Sequence, residues 1–224
     1  MAREGVDTVE LNKTISADFG TVIRERRSVR KYDASYKMSQ AELEDLLADA
    51  VLAPSGSNLQ PWRFIVITDQ ATKEKLLPIA FNQQQVVTAS AVIAVLADLE
   101  AYKEAGRIYD KAVAAGYMNQ ETRDKLVDNS VKFYGKREPE AIRNAALIDG
   151  GLVSMQLMLA AKAKGFDTVP MAGYNVEQFR ELMGITDRYA NVMLIAVGKA
   201  AEPGHPTVRL DVADITYWNQ FGAK

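Results

Sequence analysis

The segment from Pro139 to Gly165, PEAIRNAALIDGGLVSMQLMLAAKAKG, constrains the fold of this chain more than any other. Pro139 suits a first helical turn, where a missing N–H costs nothing, and Gly165 is a natural stop. Between them the pattern predicts one long helix that is apolar nearly all round. Such a helix is expected to be central and buried. Gly150 and Gly151 lie in its interior, where each costs about 1 kcal/mol against Ala. The expected reason is close approach of another helix or a second subunit.

The other elements follow from shorter signals. Phe19, Val22 and Ile23 have helical spacing, and the helix carries its basic end into RRSVRKYD, which reads as extended chain. Ser39 with Glu42 three residues later is a capping box. It opens a helix whose apolar face is Leu43, Leu46, Leu47, Ala50 and Val51, ended by Pro54, Gly56 and Asn58. WRFIVIT (62–68), ASAVIAVLAD and NVMLIAVGKA read as buried strands. ATKEKLLPIA predicts a short helix broken near Pro78. Two polar helices are expected over about 100–116 and 120–134. FDTVPMAGYN reads as a short extended piece with a turn, and Asn175 with Gln178 caps a further helix. Apolar strands separated by helices indicate a layered α+β or α/β domain. A single domain over 1–224 is expected. Within it, 1–18 is an N-terminal arm, and 202–224 is a C-terminal segment whose Tyr217, Trp218 and Phe221 pack on something, such as a partner chain.

Composition removes several chemistries. The 224 residues contain 27 basic and 29 acidic side chains, for a formal charge of −2. That balance argues against general nucleic-acid binding. There is no cysteine, hence no disulfide, thiolate nucleophile or Cys-based zinc site. The only histidine, His205, sits between Gly204 and Pro206 and reads as a loop residue, so a Ser-His-Asp triad is not expected. No clustered ligands suggest a metal site. Neither a P-loop nor a G-x-G-x-x-G after a strand is present. No apolar run approaches the ~20 residues of a membrane helix, and the first residues show no secretory h-region. A soluble, cytoplasmic protein is the expectation.

Two polar stretches remain. RERRSVRK (24–31) places five cations in eight positions of a slightly acidic chain. Arg26, Ser28 and Arg30 alternate, so on extended backbone they share one side and form a compact site for an anion such as phosphate. The alternative is a solvated basic helix end, favoured by the macrodipole. APSGSNLQPW (53–62) offers small residues for close backbone approach, together with uncharged hydroxyls and amides. It suits the polyol and ring edge of a flat cofactor, or is a polar helix-to-strand loop.

Taken in order, RRSVRKYD, APSGSNLQPWRFIVIT, FNQQQVVTASAVIAVLAD, DGGLVSMQLMLAAKAKGFDTVPMAGY and LIAVGKAAEPGHPTVRL resemble the nitroreductase family, FMN-dependent oxidoreductases that use NADH or NADPH. The likeness runs from about Val22 to Leu210. It implies an α+β fold with a central mixed sheet flanked by helices. It also implies an intertwined homodimer with FMN at the interface and C-terminal segments reaching the other subunit.

By motif position, the resemblance puts Arg26, Arg27 and Ser28 on the FMN phosphate and ribityl chain, with Arg209 as a late basic residue on the phosphate. Arg30 falls by the pyrimidine edge of the ring and is the catalytic candidate. Asn82 matches an amide on the same edge, and Gln85 stands where some members carry lysine. Pro54, Ser55, Gly56 and Asn58 match the loop that reaches the flavin from the partner subunit. Pro170, Met171, Ala172 and Gly173 match the segment whose N–H groups face the ring. Ala172 and Thr207 depart from the glutamate and lysine of better-known members, and bear on substrate choice and flavin potential.

The implied activity is hydride transfer from NAD(P)H to a flat, electron-poor acceptor, such as a nitroaromatic or quinone, by ping-pong kinetics in one shared site. Related flavin reactions, enone reduction or dehalogenation, stay open. So does a flavin-binding protein without turnover. A basic module meeting nucleic acid or an acidic partner is the reading from a third class.

Overall fold

The computed structural model describes residues 18–222. The expected arm therefore lies outside the described residues except for Asp18, whose carboxylate accepts the Thr21 N–H at 3.1 Å and caps the first helix. The helices are α1 (Phe19–Glu25), α2 (Gln40–Ala50), α3 (Gln70–Ile79), α4 (Gln85–Thr88), α5 (Ala105–Ala114), α6 (Gln120–Tyr134), α7 (Pro139–Ala163), α8 (Val176–Met183) and α9 (Val212–Ile215). The strands are β1 (Trp62–Ile67), β2 (Ala91–Asp98), β3 (Asp167–Met171) and β4 (Tyr189–Gly198).

Local signals account for many helix starts. The Ser39–Glu42 capping box forms in both directions. Asp69, Asn119 and Asn175 each accept the N–H three residues on, satisfying donors that the first helical turn leaves open. Pro78 does not break α3 early; it sits in the last turn, and the helix runs one residue further.

The sheet has strand order β1-β2-β4-β3, with antiparallel pairing throughout. Its mixed character comes from one parallel bridge, Ser28 to Thr168, on the outer side of β3. β2 is buried along its whole length, which explains its continuous apolar run. On one face Trp62, Ile93, Val95, Ile195 and Val197 pack against Leu43, Leu46 and Ala50 of α2 and Val153, Leu157 and Ala161 of α7. On the other, Val92, Ala94, Leu194, Ala196 and Val169 meet Leu76 of α3, Val86 of α4 and Phe179 of α8. A satellite cluster of Leu59, Ala105 and Tyr109 seats the α5–α6 hairpin.

Two expectations about α7 need correction. It is not buried all round: Val153 and Leu157 are fully covered, while Ile148, Leu152 and Met155 are 66%, 43% and 42% exposed. They lie along one outward face, at helical spacing. In length and composition α7 also qualifies as a membrane span, against the expectation that no such run exists; its inward face is part of the core. Gly150 does answer a close approach, but from a strand. A Cβ there would lie 2.5 Å from Val192 Cγ2 of β4, whereas Gly151 has nothing within 4 Å.

At the far end of β2, Asp98 ties three segments together. Its side chain is fully buried and accepts from Arg63 Nη2 of β1 at 2.9 Å, from Arg188 Nε and Nη2 at 2.8 and 2.7 Å, and from the Glu100 N–H at 3.0 Å. Burial alone would raise its pKa, but the Arg188 bonds, the Glu100 N–H and the two charges outweigh it and hold the carboxyl below its ordinary value.

Two stability tests follow from these contacts. Gly150→Ala is expected to cost about 1–3 kcal/mol through overpacking. Adding Val192→Ala should return part of that loss, seen as a favourable coupling energy in urea unfolding. Asp98→Asn is expected to cost about 3 kcal/mol at pH 7, because two arginines lose their buried partner. A carboxyl with a depressed folded pKa contributes stability above its unfolded pKa and loses it as pH falls. The gap between wild type and Asp98→Asn should therefore shrink below about pH 4.

Candidate functional site

The basic stretch leaves α1 and runs along the outer edge of β3. Val29 donates its N–H to the Thr168 carbonyl at 3.1 Å, and Ser28 forms the parallel bridge to the same residue. Beyond it the chain pairs with the segment after β4, through Asp33 N–H to Lys199 O and Ala201 N–H to Lys31 O, both 2.9 Å. Val29 and Tyr32 point into the core. Arg30 is exposed and Arg26, Arg27 and Ser28 are half-buried.

The returning chain closes over this segment at Gly204. A Cβ there would fall 2.5 Å from Arg27 Cβ and 3.2 Å from the Ser28 carbonyl. Arg209, five residues on, comes close enough for its charge to act on Arg26. The Arg26 guanidinium is depressed first by burial, then by the like charges of Arg209 and Arg27. Among the described residues none of Arg26, Arg27, Arg30 and Arg209 is in an ion pair. Arg27 and Arg209 bond only to nearby carbonyls and the Thr207 hydroxyl. Arg26 Nη1 and Thr168 Oγ1 are buried with no hydrogen-bond partner among the described residues. Buried donors are normally paired, so crowded, unpaired guanidiniums beside an orphaned donor have the character of an anion cradle.

The far end of β3 gathers amides. Gln83 donates to the Gly173 carbonyl at 2.9 Å, and Asn175 N–H bonds Ile79 O at 2.9 Å, which ties the α3–α4 turn to the residues after β3. Asn82 is exposed on that turn. It and Phe81 hold left-handed backbone, φ 58° and 55°, a strained arrangement for non-glycine residues. Gln85 faces inward, donating to Met171 Sδ at 3.4 Å and Gln83 Oε1 at 2.9 Å. Among the described residues, the N–H groups of Ala172 and Gly173 have no partner, and Gly173 has open space on its Cβ side.

Pro54, Ser55, Gly56 and Asn58 sit elsewhere. Their turn leads into Trp62, which pairs with Ala97, level with Ala190 of β4, whereas Thr168 is level with Val197. β1 and β3 are opposite edges of the sheet. Trp62 and Thr168 are thus about 14 Å apart across the strands and about 20 Å along them, from ordinary strand spacing and rise, while Met171, level with Leu194, is about 10 Å along. Within one chain they form two half-sites.

Four residues of these half-sites lie within the quoted motifs but are not among the expected site residues: Thr168, Gln83, Gly204 and Asp149, which accepts from Gly56 N–H. His205, expected as a loop residue, is exposed in the segment after β4. Among the described residues no group of His, Asp or Glu has the arrangement of a metal site.

Residues 23–199 match the profile of the Nitroreductase family. The chain belongs to the nitroreductase family. YdgI of Bacillus subtilis, provisionally named an NAD(P)H nitroreductase, is 47% identical over 203 residues, covering 90% of this chain and 97% of YdgI. A crystal structure from Exiguobacterium sibiricum, of a provisionally assigned nitroreductase in complex with FMN, is 47% identical, with a TM-score of 0.88 over 91% of this chain and 98% of that one. A relative from Lactiplantibacillus plantarum, named CLA biosynthesis enone reductase, is 32% identical over 200 residues, covering 88% of this chain and 92% of its own. The fold expected of this nitroreductase-family chain, a central sheet flanked by helices, is the one observed.

An anion cradle makes a direct test. At a phosphate concentration tenfold above its Kd the protein is expected to gain about 1.4 kcal/mol, a rise of roughly 3–6 °C in Tm for a chain of this size. Ionic strength is held constant with chloride. Arg26→Ala should abolish the rise.

Proposed function

We propose that this protein is an FMN-dependent oxidoreductase that takes hydride from NADH or NADPH and reduces a flat, electron-poor acceptor such as a nitroaromatic or quinone. The observation that carries the reading is the cradle at β3: unpaired guanidiniums and the orphaned Arg26 Nη1, beside a chain segment with free N–H groups, in a member of the nitroreductase family. Those residues fit a flavin mononucleotide. Arg26, Arg27 and Arg209 would hold its phosphate, since guanidiniums bind phosphate oxygens bidentately, and Ser28 would add a hydroxyl on the ribityl side. Pro170, Met171, Ala172 and Gly173 would present backbone to the ring, with Asn82 and Gln85 supplying the amides on its polar edge.

FMN, when bound, accepts hydride from the nicotinamide and passes reducing equivalents to the acceptor. The chain's own part is to bind, orient and shield. A cation at the pyrimidine edge favours the redox state with more negative charge there, as preorganised charge does elsewhere. Arg30, exposed and without an ion-pair partner among the described residues, is assigned that role. No histidine or cysteine is required, and protons come from solvent. One site serving donor and acceptor in turn gives ping-pong kinetics.

We further infer a homodimer, with the chain acting as one domain. The two half-sites of one chain lie on opposite edges of its sheet, and a second copy can bring its Pro54–Asn58 turn to the first copy's β3. Apolar surface on α7 (Ile148, Leu152, Met155) and on the C-terminal segment (Val208 at 94%, Trp218 at 70% exposed) is what such an interface would cover. The partners are then a second copy and small molecules, in the cytoplasm, with no nucleic acid or membrane involved. Enone reduction is the second reading for the acceptor, favoured by the relative named for that activity.

Freshly purified protein should show flavin absorption that NADH or NADPH bleaches; a colourless protein that does not take up FMN would refute the reading. Parallel double-reciprocal lines, and turnover compared across nitroaromatic, quinone and enone acceptors, assign the mechanism and the acceptor. Arg30→Ala should lower the midpoint potential with flavin still bound. Arg26→Ala and Asn58→Ala should each lose flavin as homodimers. Unfolded together and refolded 1:1, they should recover about a quarter of the wild-type sites, the share expected when mixed dimers carry one intact site.

A further inference from the structure

The turn that carries Gly56 is held in place by two helices. Gly56 donates its N–H to Asp149 Oδ1 and Oδ2 at 3.1 and 3.2 Å, from the middle of α7. The Ser57 carbonyl accepts from Tyr109 Oη of α5 at 2.7 Å. The Gln60 N–H returns to Ser55 Oγ at 3.0 Å. The turn needs such support, because Ser57 and Asn58 both sit at φ 52°, where a side-chain-bearing residue costs roughly 1–2 kcal/mol.

Asp149 is the unusual member of this set. It is half-buried in the middle of a helix, and among the described residues it has no ion-pair partner. Burial raises its carboxyl above the ordinary value, and the Gly56 N–H only partly offsets this. Beside it lies a cavity of about 160 Å³ walled by Leu59, Ile142, Ala146, Tyr102 and Tyr134, which offers it no cation. Tyr134, facing it from α6, and Tyr102 are phenols. Asp98, on the same wall from β2, is already held by Arg63 and Arg188. A desolvated carboxylate without a counter-charge is costly, and among the described residues its hydrogen bonds are those to the turn.

We propose that Asp149 is a positioning residue of the cofactor site: it sets the pose in which the Pro54–Asn58 turn meets the flavin held by the other subunit. This rests on the reading that the turn reaches FMN across a dimer interface. Asp149 touches no reacting atom; it acts through the Gly56 N–H and so through the neighbouring Ser55 and Asn58.

The test is FMN titration, followed by quenching of flavin fluorescence, of apo wild type, Asp149→Ala, Asp149→Asn and Asn58→Ala between pH 5 and pH 8. Melting temperature and mass confirm a folded protein in the wild-type oligomeric state. At pH 7.5 Asp149→Ala should bind FMN about tenfold more weakly, the loss of one charge-assisted hydrogen bond. Asp149→Asn, nearly isosteric and still an acceptor for Gly56, should recover most of that affinity. As pH falls, wild type should lose affinity relative to Asp149→Asn at a higher pH than an ordinary aspartate would titrate, since only the acid can protonate. Wild-type affinity in Asp149→Ala, or equal losses in both Asp149 variants at every pH, overturns the proposal. If Asn58→Ala binds FMN like wild type, the cross-subunit reading itself fails. If Asn58→Ala weakens binding while Asp149→Ala does not, only the role of Asp149 fails.

Discussion

β2 and β4 have apolar residues on both faces, and that constraint decides where everything else goes. Both faces must be covered, so α2 and α7 occupy one and α3, α4 and α8 the other. In this packing α7 approaches β4 closely, where Gly150 lets the helix backbone come down onto Val192. With the faces used up, polar chemistry is left to the edges. The segment along β3 carries the arginines at one edge, and the chain entering β1 carries the serine–glycine turn at the other. A site that used both edges, as proposed above, would draw on two chains.

The charge at β3 is held by uncharged structure. Main-chain bonds from Val29, Asp33 and Ala201 fix the strand-like segment, and Gly204 lets the returning chain lie directly on Arg27 and Ser28. Like charges brought together this way repel, and Arg26 registers both burial and repulsion. An arrangement that is unfavourable alone becomes favourable around an anion. It contrasts with Asp98, where buried charge is neutralised by two arginines and serves the fold.

Much of the site could be read from the sequence because its signals are short-range. Arg26, Ser28 and Arg30 alternate within five residues, and the Ser39, Asp69, Asn119 and Asn175 caps are bonds between residues three apart. The motif order indicated a nitroreductase-like chain, and the family profile covers residues 23–199. Thr168, Gln83 and Asp149 were not readable in the same way. Each looks like an ordinary polar residue of a strand, loop or helix, and becomes distinctive only through a contact far along the chain. Asp149 and Gly56 are 93 residues apart.

From the sequence alone came the helices and their caps, the buried strands, the lack of cysteine, and the basic extended segment. These depend on periodicity, backbone propensity and composition, which act over a few residues. Tertiary structure alone decided the strand order, the open outer face of α7, the strand rather than helix that meets Gly150, and the placing of the two half-sites at opposite edges. Those features depend on which distant surfaces can be brought together at close-packed density, and no local pattern encodes that choice.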